Sequence, residues 1–341
     1  MKIWIDILTP KQLLFFEPII EKLDKNHEIL CTSRKYEETM KLAKIRDFDL
    51  IFIGEYGLDK KTKLEAGIDR MGKILKKINK FSPEIAISFC SPDAARIAFG
   101  LGIKHIAFTD SPHNDIAMKL TLPLIQKLFS PNVISKNEFT KYGIKKKNII
   151  SYNAIDAAIT IKRKIDHSAP LPFKKNKRKN ILIRVEEEHA SYVSGKSNII
   201  SIIEKIIKEF EKENIVILGR YTNQNKILKR KFGKKAKIVK MSFDGKHLLN
   251  NTDVFIGSGG TMTAESALLG TPTISYNAVP NIIQSYLVKK HLIVKETNPN
   301  KICNHIKKIF SKSNKEYKIR AIKITSEMED PIQKLMNVIK Q

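Results

Sequence analysis

Short β-branched runs alternate along this chain with stretches whose apolar residues recur every three or four positions. The N-terminal run "KIWIDI" (2–7) is almost continuously apolar, and the next stretch places Leu13, Phe16, Ile20 and Leu23 on one stripe. The first pattern suits a strand buried on both faces, the second an amphipathic helix. The pair then recurs as "EILCT" with a helix near 35–44, "DLIFIG" with a helix over roughly 62–79, "EIAISF" with a helix from 92, and "KHIAFT". Strands alternating with helices predict a parallel sheet with helices on both faces.

The alternation breaks at "DHSAPLPFKKNKRKN" (166–180), where two prolines and a basic run predict a linker. It restarts with "ILIRV", a helix over about 197–213, "NIVILG", a helix near 224–232, "AKIVKM", a short helix near 244–251, "DVFIG", "TISY" and "LIVK". The expected organisation is an N-terminal Rossmann-like domain over 1–165, the linker 166–180, and a second Rossmann-like domain over 181–314. A helical segment, 315–341, follows and can pack back on the first domain. A length of 341 residues suits two cores better than one. Ligands of such sheets bind beyond the carboxyl ends of the strands, so the expected site is a cleft between the domains.

Composition narrows the function classes. The net charge of +27 comes from lysines scattered over nearly every expected helix. No zinc-finger spacing, basic region running into heptads, or aromatic RNA-binding strand accompanies it, so no nucleic-acid partner is expected. The charge favours anionic substrates and peripheral contact with an anionic membrane surface. No apolar run reaches the ~18 residues of a membrane span. "MKIWIDILTPKQ" lacks the apolar core of an export signal, and the expected location is the cytoplasm. Cys31, Cys90 and Cys303 fit neither a zinc spacing nor a disulfide framework. Asp47-Phe48-Asp49 resembles an Asp-x-Asp metal motif but precedes a strand, so no metal is expected.

The densest chemical signal is "VFIGSGGTMTAESALLGTPTISYN" (254–277), a strand-like run that stops at glycines and restarts as a helix. Gly257, Gly259 and Gly260 permit positive φ and close ligand approach, while Ser258 and Thr261 add hydroxyls. Helix onset falls at Thr261 to Thr263, and Gly270 with Pro272 ends it. Unpaired N–H groups at a helix start suit phosphate oxygens. The P-loop ending and the G-x-G-x-x-G fingerprint are both missing.

"GSGGTMTAESALLGTP" resembles the motif of GT-B-fold glycosyltransferases, notably the N-acetylglucosaminyltransferase that makes lipid II. Ser258, Glu265, Gly270 and Pro272 keep that motif's spacing. The segment is also similar to the non-hydrolysing UDP-N-acetylglucosamine 2-epimerases. With the "WIDILTPKQLLFF" start, the whole chain resembles a largely archaeal domain family of the GT-B superfamily. The resemblance implies two doubly wound α/β domains with parallel sheets facing a central cleft. It also implies a nucleoside-diphosphate sugar, expected to be uridine-linked, as substrate rather than a permanent cofactor. Ser258, Gly259, Gly260 and Thr261 would meet the diphosphate, and Glu265 the ribose.

On the N-terminal side, "FCSPDAARIA" and "FTDSPHNDIA" follow strands. Ser91 and Ser111 read as N-caps with Pro92 and Pro112 at the first helical position. The epimerase resemblance instead implies acids here, at Asp93 and Asp110. His113 is a third candidate base, and Lys11 and Gln12 after the first strand are candidates to face the cleft. "YNAIDAAI" (152–159) resembles the segment that closes the epimerases' first domain. Two departures count against a plain transfer of that family's chemistry. The epimerases' His-Arg-Arg-Glu-Asn is replaced by "ILIRVEEEHASY", leaving Arg184, Glu186 and His189. The glycine-rich first loop of many GT-B transferases is replaced by "LTPKQLLFF". Arg184 and Arg220 are candidates to meet the leaving diphosphate. The expected activity is metal-independent glycosyl transfer to an unknown acceptor. Epimerisation of the nucleotide sugar and non-catalytic binding are the alternatives.

Overall fold

The computed structural model describes residues 1–57, 59–165, 167, 170–174, 176–186, 199–219, 222–240, 244–276 and 281–340. Two compact units emerge: Met1–Arg163 together with the stretch from Glu329 onward, and Lys164–Met328.

In the first unit β1 (Lys2–Asp6), α1 (Pro10–Leu23), β2 (Glu28–Ser33), α2 (Glu37–Ile45) and β3 (Ile51–Phe52) come first. They are followed by α3 (Lys60–Phe81), β4 (Ile85–Ser88), α4 (Pro92–Gly100), β5 (Lys104–Phe108) and α5 (Asp115–Thr121). Then come β6 (Lys127–Pro131), α6 (Asn137–Thr140), β7 (Ile149–Tyr152) and α7 (Ala157–Thr160). The strands pair in parallel in the order β3-β2-β1-β4-β5-β6-β7. The order reverses beside β1, where Ile3 pairs with Ile29 of β2 on one side and Ile85 of β4 on the other. Central strands must be apolar on both faces, and Ile3, Trp4 and Ile5 are all fully buried. Phe15 and Phe16 of α1 pack edge-on against Phe89 and Phe108, each such side chain contributing ~1.5–3 kcal/mol by burial.

The second unit repeats the plan with β8 (Asn180–Arg184), α8 (Ile199–Glu209), β9 (Asn214–Gly219), α9 (Thr222–Phe232) and β10 (Lys237–Lys240). It continues with α10 (Gly245–Asn250), β11 (Val254–Gly257), α11 (Thr261–Leu268), β12 (Thr273–Ser275) and α12 (Ile282–Lys289). The last elements are β13 (Ile293–Lys295), α13 (Pro299–Phe310) and α14 (Lys315–Ser326). Its parallel order is β10-β9-β8-β11-β12-β13, reversing between β8 and β11. Ile202, Ile203 and Ile206 of α8 cover Ile181, Ile183 and Ile256 of that sheet.

Three boundaries differ from the sequence reading. The 166–180 stretch, where described, belongs to the second unit: Leu171 and Phe173 pack on its core, and Asn176 exchanges hydrogen bonds with Asn214. Two apolar side chains outweigh the basic run around them. The 315–341 segment divides. α14 stays with the second unit, and only α15 (Pro331–Ile339) packs on the first, burying Ile332 and Leu335. Finally, Ser111 caps no helix. The chain turns there, Asn114 N–H donating to Ser111 O at 3.1 Å, and α5 starts at Asp115. Ser91 does cap α4, accepting from Ala94 N–H at 3.3 Å. Among the described residues, no helix is long and apolar enough to cross a membrane.

Candidate functional site

At the strand-order reversal of the second sheet, β11 ends in glycine for a steric reason. A Cβ at Gly257 would come within 2.5 Å of the Thr263 hydroxyl and 2.6 Å of the Phe255 ring. Gly259 follows at φ +100°, a left-handed conformation open to glycine. Its N–H donates to Thr263 Oγ1 at 3.2 Å, and its carbonyl accepts from Asn281 Nδ2 at 3.0 Å. Gly260 then occupies the N-cap of α11 without a side chain to cap it. Among the described residues no acceptor meets the N–H groups of Gly260, Thr261 and Met262. Orphan donors of this kind, at the positive end of a helix dipole, bind anions. Ser258 and Thr261 are half-buried beside them. Glu265, one turn on, is only 4% exposed.

Arg184, at the end of β8, is buried and donates to Gly219 O at 3.2 Å, so it spans the ends of two strands. Nearby, the Tyr276 hydroxyl donates to the Glu186 carboxylate. His189 and Arg220 lie outside the described residues.

The first unit gathers Lys11, Asp110 and a further acid not among the sequence candidates, Asp156. Lys11 leaves the first turn of α1, Asp110 follows β5, and Asp156 precedes α7, so all three sit at the carboxyl edge of the sheet. Lys11 Nζ lies 2.6 Å from Asp110 Oδ2 and 2.8 Å from Asp156 Oδ2, over the Phe89 ring at 4.5 Å from its centroid. The Tyr152 hydroxyl donates to Asp156 Oδ1 at 2.6 Å, and Ser111 Oγ donates to Asp110 Oδ1 at 2.8 Å. Burial, then the Asp110 charge, push Asp156 up to about 7. Burial also acts on Asp110, but the adjoining Lys11 outweighs it and holds that carboxyl below the ordinary aspartate range. Lys11 is likewise held above the usual lysine range by its two acids, against its own burial. Of the three groups, Asp156 is the one that gains or loses a proton near neutrality. Asp110 is the more open acid, with 15% of its side chain exposed against 2% for Asp156. His113 stands exposed nearby, its imidazole kept below the usual range by desolvation, with Lys11 adding to that and Asp110 opposing it.

Two candidates are committed elsewhere. Gln12 is buried and accepts from Leu8 N–H at 2.6 Å, bracing the β1–α1 turn. Asp93 Oδ2 lies 2.7 Å from Arg70 Nη1. Arg70 is itself buried and held by Asp6 at 2.6 Å. Asp93, with 21% of its side chain exposed, therefore pairs with the buried Arg70 and is not a member of the Lys11 cluster. Asp156 had a signal: a lone acid inside the apolar run of "YNAIDAAI" (152–159) implies a buried, partnered carboxylate.

Comparison with known proteins sets this geometry in context. The chain has the architecture of the Neisseria meningitidis UDP-GlcNAc 2-epimerase solved with UDP-GlcNAc, at TM-score 0.77 and 16% identity over 100% of both chains. It also matches the spinosyn rhamnosyltransferase SpnG, solved with its aglycone, at TM-score 0.62 and 12% identity over 100% of both chains. Both likenesses establish a GT-B-like fold. In sequence it is 30% identical to the uncharacterized protein MJ0665 of Methanocaldococcus jannaschii over 315 residues, covering 90% of this chain and 91% of that one. A family model described as "Protein of unknown function (DUF354)" matches residues 1–340, and the chain belongs to that family.

Proposed function

We propose that this protein is a nucleotide-sugar-dependent glycosyltransferase whose donor diphosphate binds at Ser258, Gly259, Gly260 and Thr261. The observation that carries the reading is the start of α11, with three N–H groups that no described residue pairs, at the strand-order reversal of a GT-B-like sheet. Each charge-assisted hydrogen bond there contributes about 1.5–3 kcal/mol, more than the helix dipole alone. Glu265 is the candidate for the ribose hydroxyls. Arg184 steadies the neighbouring strand ends and adds positive charge to that edge.

In the first unit, Asp110 takes the proton of the acceptor hydroxyl as that oxygen bonds to the anomeric carbon. The carbon–oxygen bond to the diphosphate breaks, and its electron pair leaves with the diphosphate. Such a direct displacement inverts the anomeric centre. Lys11 orients Asp110, and Asp156, half-protonated near neutrality, sets the charge behind it. Incubation with a panel of uridine- and thymidine-diphosphate sugars tests this. Release of nucleoside diphosphate that D110N abolishes and H113A spares is the expected result. Turnover unchanged in D110N excludes the assignment.

A second reading is epimerisation of the donor itself, favoured by Asp156, a carboxyl that changes protonation near neutrality beside the ionised Asp110 and so is able to remove and return a proton. Turnover in deuterated water would then place deuterium on carbon 2 of the sugar, with no acceptor present.

A further inference from the structure

Arg34 leaves the carboxyl end of β2 and lays its guanidinium over the Tyr56 ring, 4.4 Å from the centroid. It is partly buried, and its Nε is enclosed without a hydrogen-bond partner. Among the described residues, no carboxylate or carbonyl accepts from this guanidinium or pairs with it. Two acids lie close enough to act on it electrostatically, Asp6 and Asp93, but Arg70 already binds both, at 2.6 and 2.7 Å. Desolvation, with repulsion from Arg70 adding to it and Tyr56 and the two acids opposing, holds Arg34 below the ordinary arginine range. Lys63 brings a further positive charge to Tyr56, 5.5 Å from its centroid. Tyr36 packs edge-on against the same ring, so the platform is fixed. A withdrawn charge without a counter-ion is costly, and a guanidinium held flat on an aromatic ring is preorganised for a two-oxygen anion. The carboxyl edge of the sheet is also where such folds bind ligands.

We propose that Arg34, seated on Tyr56, is a binding site for a carboxylate or phosphate group carried by the second substrate, so that the acceptor is an acidic molecule. The acceptor assignment rests on the transferase reading above; the oxyanion site does not.

Equilibrium dialysis with inorganic phosphate, and separately with acetate, tests the site on the full chain. The phosphate arm also reads the α11 turn, so G259V, which obstructs that turn, is measured beside R34Q and R34K. The expected result is an anion site retained in G259V and weakened about tenfold or more in R34Q, as loss of a charge-assisted contact requires. R34K should also bind more weakly, because lysine lacks the planar fork, and it reports on the site if R34Q does not fold. Phosphate binding alone would assign a phosphorylated acceptor, and acetate binding a carboxylated one. Equal binding by wild type, R34Q and R34K, or no binding of either anion by the wild type, overturns the proposal. Failure of the donor-site reading looks different: wild type and G259V would then bind alike, while R34Q still loses its site.

Discussion

A methyl group built on Gly259 would stand 1.8 Å from Gln284 Oε1, which accepts from the Ser275 hydroxyl at 2.9 Å. Asn281 holds both sides of this joint, donating to Gly259 O and accepting from Gln284 N–H at 2.7 Å. At φ +100° a branched side chain adds backbone strain of about 1–3 kcal/mol. G259V should therefore lose at least that much stability in urea and bind uridine diphosphate more than tenfold more weakly by calorimetry. Gly260 is the control. Among the described residues nothing lies within 4 Å of its would-be Cβ, so G260A should fold within about 1 kcal/mol of wild type. Asp156 makes a prediction about pH. Its carboxyl, pushed up to about 7, holds a proton in the native state that the unfolded chain releases near 4. The stability it contributes is thus fully present at low pH and is lost as pH rises toward and past 7. Urea midpoints followed from pH 4 to 8 should show wild type losing ground to D156N, by at most on the order of 3–4 kcal/mol. The depressed Asp110 contributes outside this window, since its stabilisation is lost only as pH falls below the ordinary aspartate range. A profile parallel to that of D156N would show that Asp156 is ionised throughout.

Around the first strand, one arginine ties α3 to the ends of β1 and β3 and to α4. Arg70 on α3 donates to Ile53 O just past β3 at 3.1 Å and to Asp6 at the end of β1, and it pairs with Asp93 on α4. Asp6 also accepts from Thr32 Oγ1 of β2 and from Ser91 Oγ, both at 2.7 Å. Thr32 in turn accepts from Trp4 Nε1 at 2.8 Å. Removing one member strands a buried charge, so R70M should cost about 3–5 kcal/mol in chemical denaturation. D93N, which leaves the Asp6 pair intact, should cost much less. R70M combined with D6L should cost less than the two single changes added. The sequence carried a trace of this network: Arg70, Ile74 and Ile78 are the buried residues of α3, at a spacing of four, so a cation occupies the apolar stripe. Most strands were legible as apolar runs because central parallel strands are buried on both faces. β3 shrank from "DLIFIG" to Ile51–Phe52 because only the last two residues of β2 pair with it. β6 and β7 were not legible, β6 ending in a proline that signals a break and β7 following closely on the run Lys145-Lys146-Lys147. The turn at 257–261 was readable from its glycines, which backbone geometry requires. The Lys11 cluster was not, because its members lie far apart in sequence and only the sheet brings their strand ends together.

Two units with separate cores should unfold as two transitions, and each can be addressed alone. α15 seals the first unit although it ends the chain. Ile332, Leu335 and Ile339 are buried, Lys334 Nζ donates to Ser151 O at 2.8 Å, and Lys104 Nζ donates to Val338 O at 3.1 Å. Glu329 and Asn153 add a backbone pair and a side-chain contact at 2.8 Å. A chain ending at Met328 loses three buried apolar side chains from this packing, each contributing about 1.5–3 kcal/mol. Scanning calorimetry should show its first-unit transition falling by several degrees or merging with baseline. The second-unit transition should stay in place, since the removed residues belong to the first unit. Uridine diphosphate supplies the complementary lever, because a ligand specific to one folded unit stabilises that unit by mass action. At about a hundredfold over its dissociation constant it should add roughly 2.7 kcal/mol to the second unit, in wild type and truncated chain alike. G259V should cut that shift by about half or more without altering the effect of truncation. If the nucleotide instead raises the transition that truncation lowers, the diphosphate binds in the first unit, and the α11 turn is a structural joint alone.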